Sequence, residues 1–285
     1  MHPQSILGPA LYASNMTHHT LVTFGDSYTD TGFAASGPSA PSPHCPLGNP
    51  GCHVGESYTG GHNWLSALTS VFNATTTVAW NLAHSGDVIS TALVPERGGG
   101  AVEDQLPQLL GGAARLPPAD GAQALWSAFV GVNDLGATRQ AGRDPGDAAF
   151  VRRLVERYFD ALLGRAYERH AARWFLVWTI PDTSRTPQFW RDEPLRRAVA
   201  AFNAALRAEA RSWEARRSGA RVLLLDAEKL FDDLLRDPAA GGWKDDRSVC
   251  PADECFWYDR YHPGEKVHMV MAQKVARVLA DAGWW

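Results

Sequence analysis

The chain has 285 residues, 45% of them hydrophobic and 20% charged, with a formal net charge of −4. That is ordinary globular composition with ample material for a core. The basic residues are scattered and no apolar run reaches the length of a membrane span, so neither a nucleic-acid surface nor a membrane segment is expected.

Taken in order, residues 1–20 read as an irregular arm. The start, Met1-His2-Pro3-Gln4-Ser5, lacks the charged-then-apolar layout of a secretory signal. Leu21, Val22 and Phe24 then form a short apolar run, the mark of a strand buried on both faces, and Gly25 ends it just before Asp26-Ser27. Residues 34–61 are a long loop rich in Gly, Pro and Ser, of a length that is usually functional or disordered. A short helix follows, with Trp64, Leu65, Leu68, Val71 and Phe72 on one face. A second strand is expected over residues 75–83, leading into His84-Ser85-Gly86-Asp87. Glu103 to Leu110 reads as a helix stopped by Gly111-Gly112.

The third strand, Leu125 to Val132, is the clearest in the chain and runs straight into Asn133-Asp134. Helical spacing of Phe150, Val151, Leu154, Val155, Tyr158, Phe159, Leu162 and Leu163 predicts one long helix over residues 147–170. Trp174 to Ile180 and Arg221 to Asp226 are the remaining strands, separated by a helix carrying Leu195, Val199, Phe202, Leu206 and Trp213. A short helix near residues 230–235 precedes Asp259-Arg260-Tyr261-His262-Pro263, and a last helix bears Val267, Val270, Met271, Val275 and Leu279. Strands alternating with helices argue for a parallel sheet covered on both faces. With right-handed crossovers, a five-stranded flavodoxin-like α/β/α sheet is the natural topology, here as a single domain over 21–285.

Four cysteines fall as close pairs, Cys45/Cys52 and Cys250/Cys255. Two local disulfides are expected, because the spacing in one pair is wider than zinc-ligand pairs usually show. Asn15 and Asn73 open glycosylation sequons. Together these features lead us to expect a secreted protein whose signal peptide is absent from this chain.

Ester hydrolysis by serine needs a base, a group that orients the base, and donors for the developing oxyanion. Ser27 at a strand end supplies a nucleophile, since open α/β sheets bind ligands at the carboxyl ends of their strands. Among ten histidines, His262 stands out, with Asp259 three residues earlier on a turn set by Pro263 and Gly264. Asp259 read alone serves equally as a helix cap. Gly86 can offer a close backbone N–H, Asn133 a side-chain amide at a strand tip, and Ser27 its own N–H. Alone, each of these is more often a turn residue; in this order they make a constellation. Asp26 is expected to brace the turn by accepting backbone N–H bonds.

Ser27 in Gly-Asp-Ser-Tyr, Gly86, Asn133 in Gly-Val-Asn-Asp and His262 in Asp-x-x-His resemble, in order, the four marker residues of the GDSL, or SGNH, hydrolases. The resemblance implies the flavodoxin-like fold, with Ser27 as nucleophile, His262 as base, Asp259 as its orienter, and Ser27, Gly86 and Asn133 as the oxyanion hole. Tyr28 stands where the family often has leucine. The run from Phe24 to Phe33, Asn63-Trp64, Asn81-Leu82-Ala83 and Phe256 to Pro263 are further similar to fungal acetylesterases of the sixteenth carbohydrate-esterase family. That resemblance implies a secreted, cofactor-free and metal-free enzyme that takes acetyl groups from hemicellulose oligosaccharides, here expected to be a monomer. His84-Ser85-Gly86 departs from the aromatic and two glycines such enzymes often show. Trp257 and Tyr258, beside the presumed triad, are expected to touch the substrate; Trp80, Trp126, Trp174 and Trp178 are expected in the core. A lipase, phospholipase or thioesterase of the same superfamily would need an apolar acyl tunnel or lid, for which the 34–61 loop is too polar. A non-catalytic carbohydrate-binding relative is disfavoured because every catalytic position holds a competent residue.

Overall fold

The computed structural model describes residues 18–110, 123–250 and 253–285. Its centre is a parallel sheet of β1 (His19–Gly25), β2 (Thr77–Asn81), β3 (Leu125–Phe129), β4 (Trp174–Trp178) and β5 (Arg221–Leu225). The spatial order is β2-β1-β3-β4-β5, every neighbouring pair parallel. β2 and β3 are buried along their whole length, which is why their sequences run apolar instead of alternating. The chain reverses its winding between β1 and β3, whose ends meet with Gly25 opposite Phe129. At such a switch point the loops after adjacent strands part and leave a crevice.

Helices α1 (Trp64–Ser70) and α8 (Glu265–Asp281) pack on each other, as do α4 (Ala148–Glu156) and α6 (Glu193–Ala215). The remaining helices are α2 (Leu106–Leu110), α3 (Val132–Gln140), α5 (Gly164–His170) and α7 (Ala227–Arg236). Asn63 caps α1: its Oδ1 accepts from the N–H groups of Leu65 and Ser66 while its Nδ2 donates to Asp30 O, so the helix start is anchored to the loop after β1. Trp178 stacks on Phe129 at 4.5 Å and lies 4.7 Å from the Trp64 ring, with its indole N–H donated to Ser127 Oγ. Each large apolar side chain buried this way contributes about 1.5–3 kcal/mol. Trp80, Trp126 and Trp178 are buried as expected, and Trp174 packs half-buried against the same core.

Several boundaries differ from the sequence reading. β1 begins at His19, inside the segment read as an arm; residues 1–17, with Asn15, lie outside the described residues. The helix expected over 147–170 is continuous but contains a π-helical stretch, Arg157–Leu163, between α4 and α5. There the buried Tyr158 hydroxyl donates to Ala128 O of β3. A second π-helical stretch, Ala101–Gln105, precedes α2, and the Gly111-Gly112 stop expected for that helix lies outside the described residues. The long loop is neither disordered nor a lid at its first disulfide. Cys45 is bonded to Cys52, and Pro46 O accepts the Ala79 N–H, so this segment covers the free edge of β2. No helix among the described residues is long and apolar enough to cross a membrane.

Candidate active site

β1 delivers Ser27 to the crevice. Past Gly25 the chain turns, with Asp26 O accepting from the N–H groups of Thr29 and Asp30. Asp26 Oδ1 accepts from Tyr28 N–H at 3.0 Å, which is the bracing role expected of it. Burial pushes that carboxyl up to about 8 despite the opposing hydrogen bond.

The strap between the second disulfide and α8 brings the other two residues. Asp259 Oδ1 accepts from the backbone N–H groups of Tyr261 and His262, each at 2.7 Å, which closes the turn on itself. Its Oδ2 lies 2.7 Å from His262 Nδ1, and His262 Nε2 lies 2.7 Å from Ser27 Oγ. Burial alone would raise the Asp259 pKa; the hydrogen bonds from the His262 ring and from Tyr261 outweigh it and hold the carboxyl below its usual range. Asp259 does not cap the last helix, because Gly264 occupies the cap position of α8. Tyr28, in the place where leucine is common, donates from its hydroxyl to Tyr261 O, and the Tyr261 hydroxyl donates to Val132 O. The strap is thereby tied both to the Ser27 turn and to the start of α3.

Gly86 and Asn133 complete the cluster. Gly86 has φ +84°, a conformation that a side chain would strain. Among the described residues, neither its N–H nor that of Ser27 is taken by another protein group. Asn133 is not at the tip of a strand but in the first turn of α3. β3 ends at Phe129, and Gly131, at φ +138°, makes the bend; a Cβ there would press on Ile180 and Phe202. Asn133 Nδ2 spends one hydrogen on Asp87 O at 3.0 Å and keeps its second for the cavity.

Residues that the sequence reading passed over fix these loops relative to one another. Asp30 accepts Gly32 N–H with one oxygen and Ser85 N–H with the other. Gln105 donates to both Gly25 O and Asp87 Oδ2 and accepts from Gly25 N–H. Asp134 takes Ile89 N–H on both oxygens, and burial pushes its carboxyl up to about 7. His268, buried in α8, accepts the Trp64 N–H and is pushed down to about 3, chiefly by burial. It stays neutral beneath the site.

Ser27, Gly86, Asn133, Asp259 and His262 all line one open cavity of about 430 Å³. Arg97, Gln140, Gln188 and Phe189 share that lining and carry no motif that would have marked them; Arg260 shares it from inside the Asp-x-x-His run. Trp257 and Tyr258 do not line it, contrary to expectation. Trp257 is 1% exposed, packs on Phe256 and donates its indole N–H to Asp246 O, so burial satisfies both its apolar area and its one polar atom. Tyr258 is half-buried with its ring against Gly60. The aromatic ring set over His262 is instead Tyr58, 5.2 Å between centroids. His84 is exposed, paired with Asp87, and lies outside this cavity.

The second disulfide, Cys250–Cys255, sits directly upstream of the strap. Cys250 N–H donates to Trp257 O, and Trp257 bridges in turn to Pro263, next to His262. Replacing Cys250 and Cys255 together by serine is expected to lower kcat/KM about ten- to a hundredfold through misplacement of His262. The Cys45 and Cys52 pair, replaced likewise, should cost about 2 kcal/mol of stability with kcat nearly kept. Kinetics and denaturant melts on the two double variants check this; the opposite ranking in kcat/KM would refute it.

Comparison with known proteins agrees with this geometry. Residues 21–275 match the family model described as GDSL-like lipase/acylhydrolase. An acetylesterase from Thermothelomyces thermophilus is 32% identical over 280 residues, covering 93% of this chain and 89% of that protein. Among solved structures, an acetylxylan esterase from Geobacillus stearothermophilus, in a catalytic-mutant form, superposes with a TM-score of 0.54 at 16% identity, over 93% of this chain and 96% of that one. An alpha/beta hydrolase enzyme from the metagenome of Lake Arreo, Spain, gives a TM-score of 0.55 at 19% identity, over 93% and 95%. At such identities the two structures speak for the fold, the one expected for SGNH hydrolases. The family match along most of the sequence and the acetylesterase relative go further: the chain is an esterase and belongs to the GDSL-like lipase/acylhydrolase family.

Proposed function

We propose that this protein is a secreted serine esterase that removes acetyl groups from hemicellulose-derived oligosaccharides through an acyl-enzyme on Ser27. The observation that carries the reading is the chain of 2.7 Å contacts from Asp259 through His262 to Ser27 Oγ, at the wall of an open cavity. Neutral His262 takes the hydroxyl proton at Nε2 as Ser27 Oγ attacks the acetyl carbonyl. Asp259 holds the proton on Nδ1 and stabilises the imidazolium that forms. The carbonyl oxygen, now anionic, receives hydrogen bonds from Ser27 N–H, Gly86 N–H and the free Asn133 amide hydrogen. As the bond from the carbonyl carbon to the sugar oxygen breaks, His262 returns the proton to that oxygen, then activates water for the same sequence in reverse, releasing acetate.

The short acyl group is argued from the wall chemistry. Ser85, Arg97, Gln140, Gln188 and Arg260 interleave polar groups with Phe189 and Tyr261, a mixed wall that suits a short acyl group better than a long hydrocarbon chain. The acetyl group is argued from the acetylesterase relative, and the sugar from the resemblance of residues 24–33, 63–64, 81–83 and 256–263 to carbohydrate acetylesterases. Secretion is argued from the two disulfides, which belong to an oxidising compartment. Glycosylation at Asn73 and Asn15 would accompany it; Asn73 is half-buried and its amide donates to Thr69 O at the end of α1.

The experiment pairs p-nitrophenyl acetate with the octanoate ester, and measures acetate released from acetylated xylo-oligosaccharides. Roughly tenfold or greater preference for the acetate ester, with acetate released from the sugars, is expected. Equal or better turnover of octanoate without sugar deacetylation would make the protein a lipase-type relative instead. For the oxyanion hole, Asn133→Ala should lower kcat by about 10²–10³ with little change in KM. A raised KM with kcat intact would assign Asn133 to sugar binding.

A further inference from the structure

A second cleft, about 620 Å³, opens on the other side of the Ser85-Gly86 turn. Ser85, Gly86 and Arg97 line both it and the cavity at Ser27. Since Gly86 carries no side chain, the turn between the two spaces is a low sill, and Arg97 stands beside it, its guanidinium 3.8 Å from where a Gly86 Cβ would be. That guanidinium makes no hydrogen bond or ion pair among the described residues.

The walls of the second cleft limit what it can hold. Phe33, half-buried edge-on to Trp80, gives one apolar face. The rest of the lining is of mixed polarity. Arg97 and the exposed Gln108 amide are free to donate, and Asp104 keeps one oxygen free after accepting Gly100 N–H. His84, exposed and paired with Asp87, offers a further polar edge. An acyl chain is a poor fit, because these charges would lose their water without gaining a partner. A phosphate or other anion is opposed by Asp87 and Asp104 in the same wall. A neutral polyhydroxyl ligand suits it, with C–H surface for the ring and hydroxyls for interspersed donors and acceptors.

We infer that this second cleft is a saccharide subsite, receiving the sugar unit next to the one whose acetyl group reaches Ser27. The inference rests on the carbohydrate-esterase reading above. The polymer chain then crosses the Ser85-Gly86 sill past Arg97, and the enzyme prefers acetylated di- and trisaccharides to acetylated monosaccharides. Binding of the second unit acts away from the reacting carbonyl, and its gain is read in kcat/KM, whether it lowers KM or is spent on raising kcat.

The test is the ratio of kcat/KM for singly acetylated xylobiose, and xylotriose, over singly acetylated xylose. The wild-type ratio is expected to be roughly tenfold, and it should fall toward one both in Gln108→Trp, which fills the cleft from an exposed position, and in Phe33→Ala, which removes its apolar wall. A wild-type ratio near one, with acetylated xylose well hydrolysed, overturns the subsite and leaves the carbohydrate-esterase reading standing. A high ratio that survives in both variants also overturns it, placing the second unit elsewhere. If p-nitrophenyl acetate is cleaved and no acetylated sugar is, the carbohydrate reading itself fails and the subsite falls with it.

Discussion

Replacing Ser27 with alanine is expected to lower kcat by roughly 10⁴- to 10⁶-fold while leaving the protein folded. The size follows from the proposed chemistry: without Oγ no acyl-enzyme forms, and only the oxyanion donors and binding contacts remain to assist water. The fold should survive because the side chain is small and His262 Nε2 is the partner its hydroxyl has. The thermal midpoint is expected to move by no more than about 4 °C. Residual activity within about a hundredfold of wild type, in a folded variant, would remove Ser27 from the nucleophile's position.

Asp259→Asn carries the second large effect, a fall in kcat of about 10⁴ at neutral pH. An amide beside His262 Nδ1 can present its N–H to the ring, and the ring then turns its own proton toward Ser27, the wrong tautomer for a base. The carboxyl also leaves a mark on stability. Its folded pKa lies below the ordinary value of 3.8, so it stabilises the fold fully above that value and progressively less as pH falls through the folded one. The wild type should therefore lose thermal stability in that acid window, and Asp259→Asn should lose less of it. Kinetics at pH 7 and melting curves between pH 2.5 and pH 5 measure both. Near-wild-type turnover would mean that the carboxylate does no more than close its own turn.

How much of this was legible beforehand depended on whether a residue's surroundings leave a local signature. The strands did, because burial on both faces writes continuous apolar runs such as Leu21-Val22 and Leu125-Trp126. The Ser27, Asp259 and His262 cluster did too, since Asp259 and His262 lie on one turn and Ser27 follows directly on a strand. Helix α3 did not. Residues 132–138 are buried on every side, so there is no polar face to set up a period of 3.6; the strand was read through Val132 and no helix was read after it. Asn133 was accordingly expected at a strand tip, although its neighbours in the motif still placed it in the cluster around Ser27.

Trp257 shows the converse error. Sequence proximity to His262 suggested a substrate contact, but Phe256 and Trp257 both turn into the core, where an indole gains more. The tethers that align the loops leave no local trace at all. Gln105 meets Gly25 across 80 positions and Asn133 meets Asp87 across 46, contacts that exist only once the sheet order is known. Arg97 and Tyr58 belong to the same class, lying on loops without periodicity.

The central claim is that acetyl ester hydrolysis runs through a covalent bond to Ser27. The most direct test is to titrate the enzyme with an organophosphate, follow the loss of acetate release from acetylated xylo-oligosaccharides, and map the adduct by peptide mass analysis. The account predicts one adduct per chain, on the peptide containing Ser27 and at that residue, with activity lost in proportion to labelling. Complete inactivation with the label on another serine, or full labelling of Ser27 with activity retained, would contradict it.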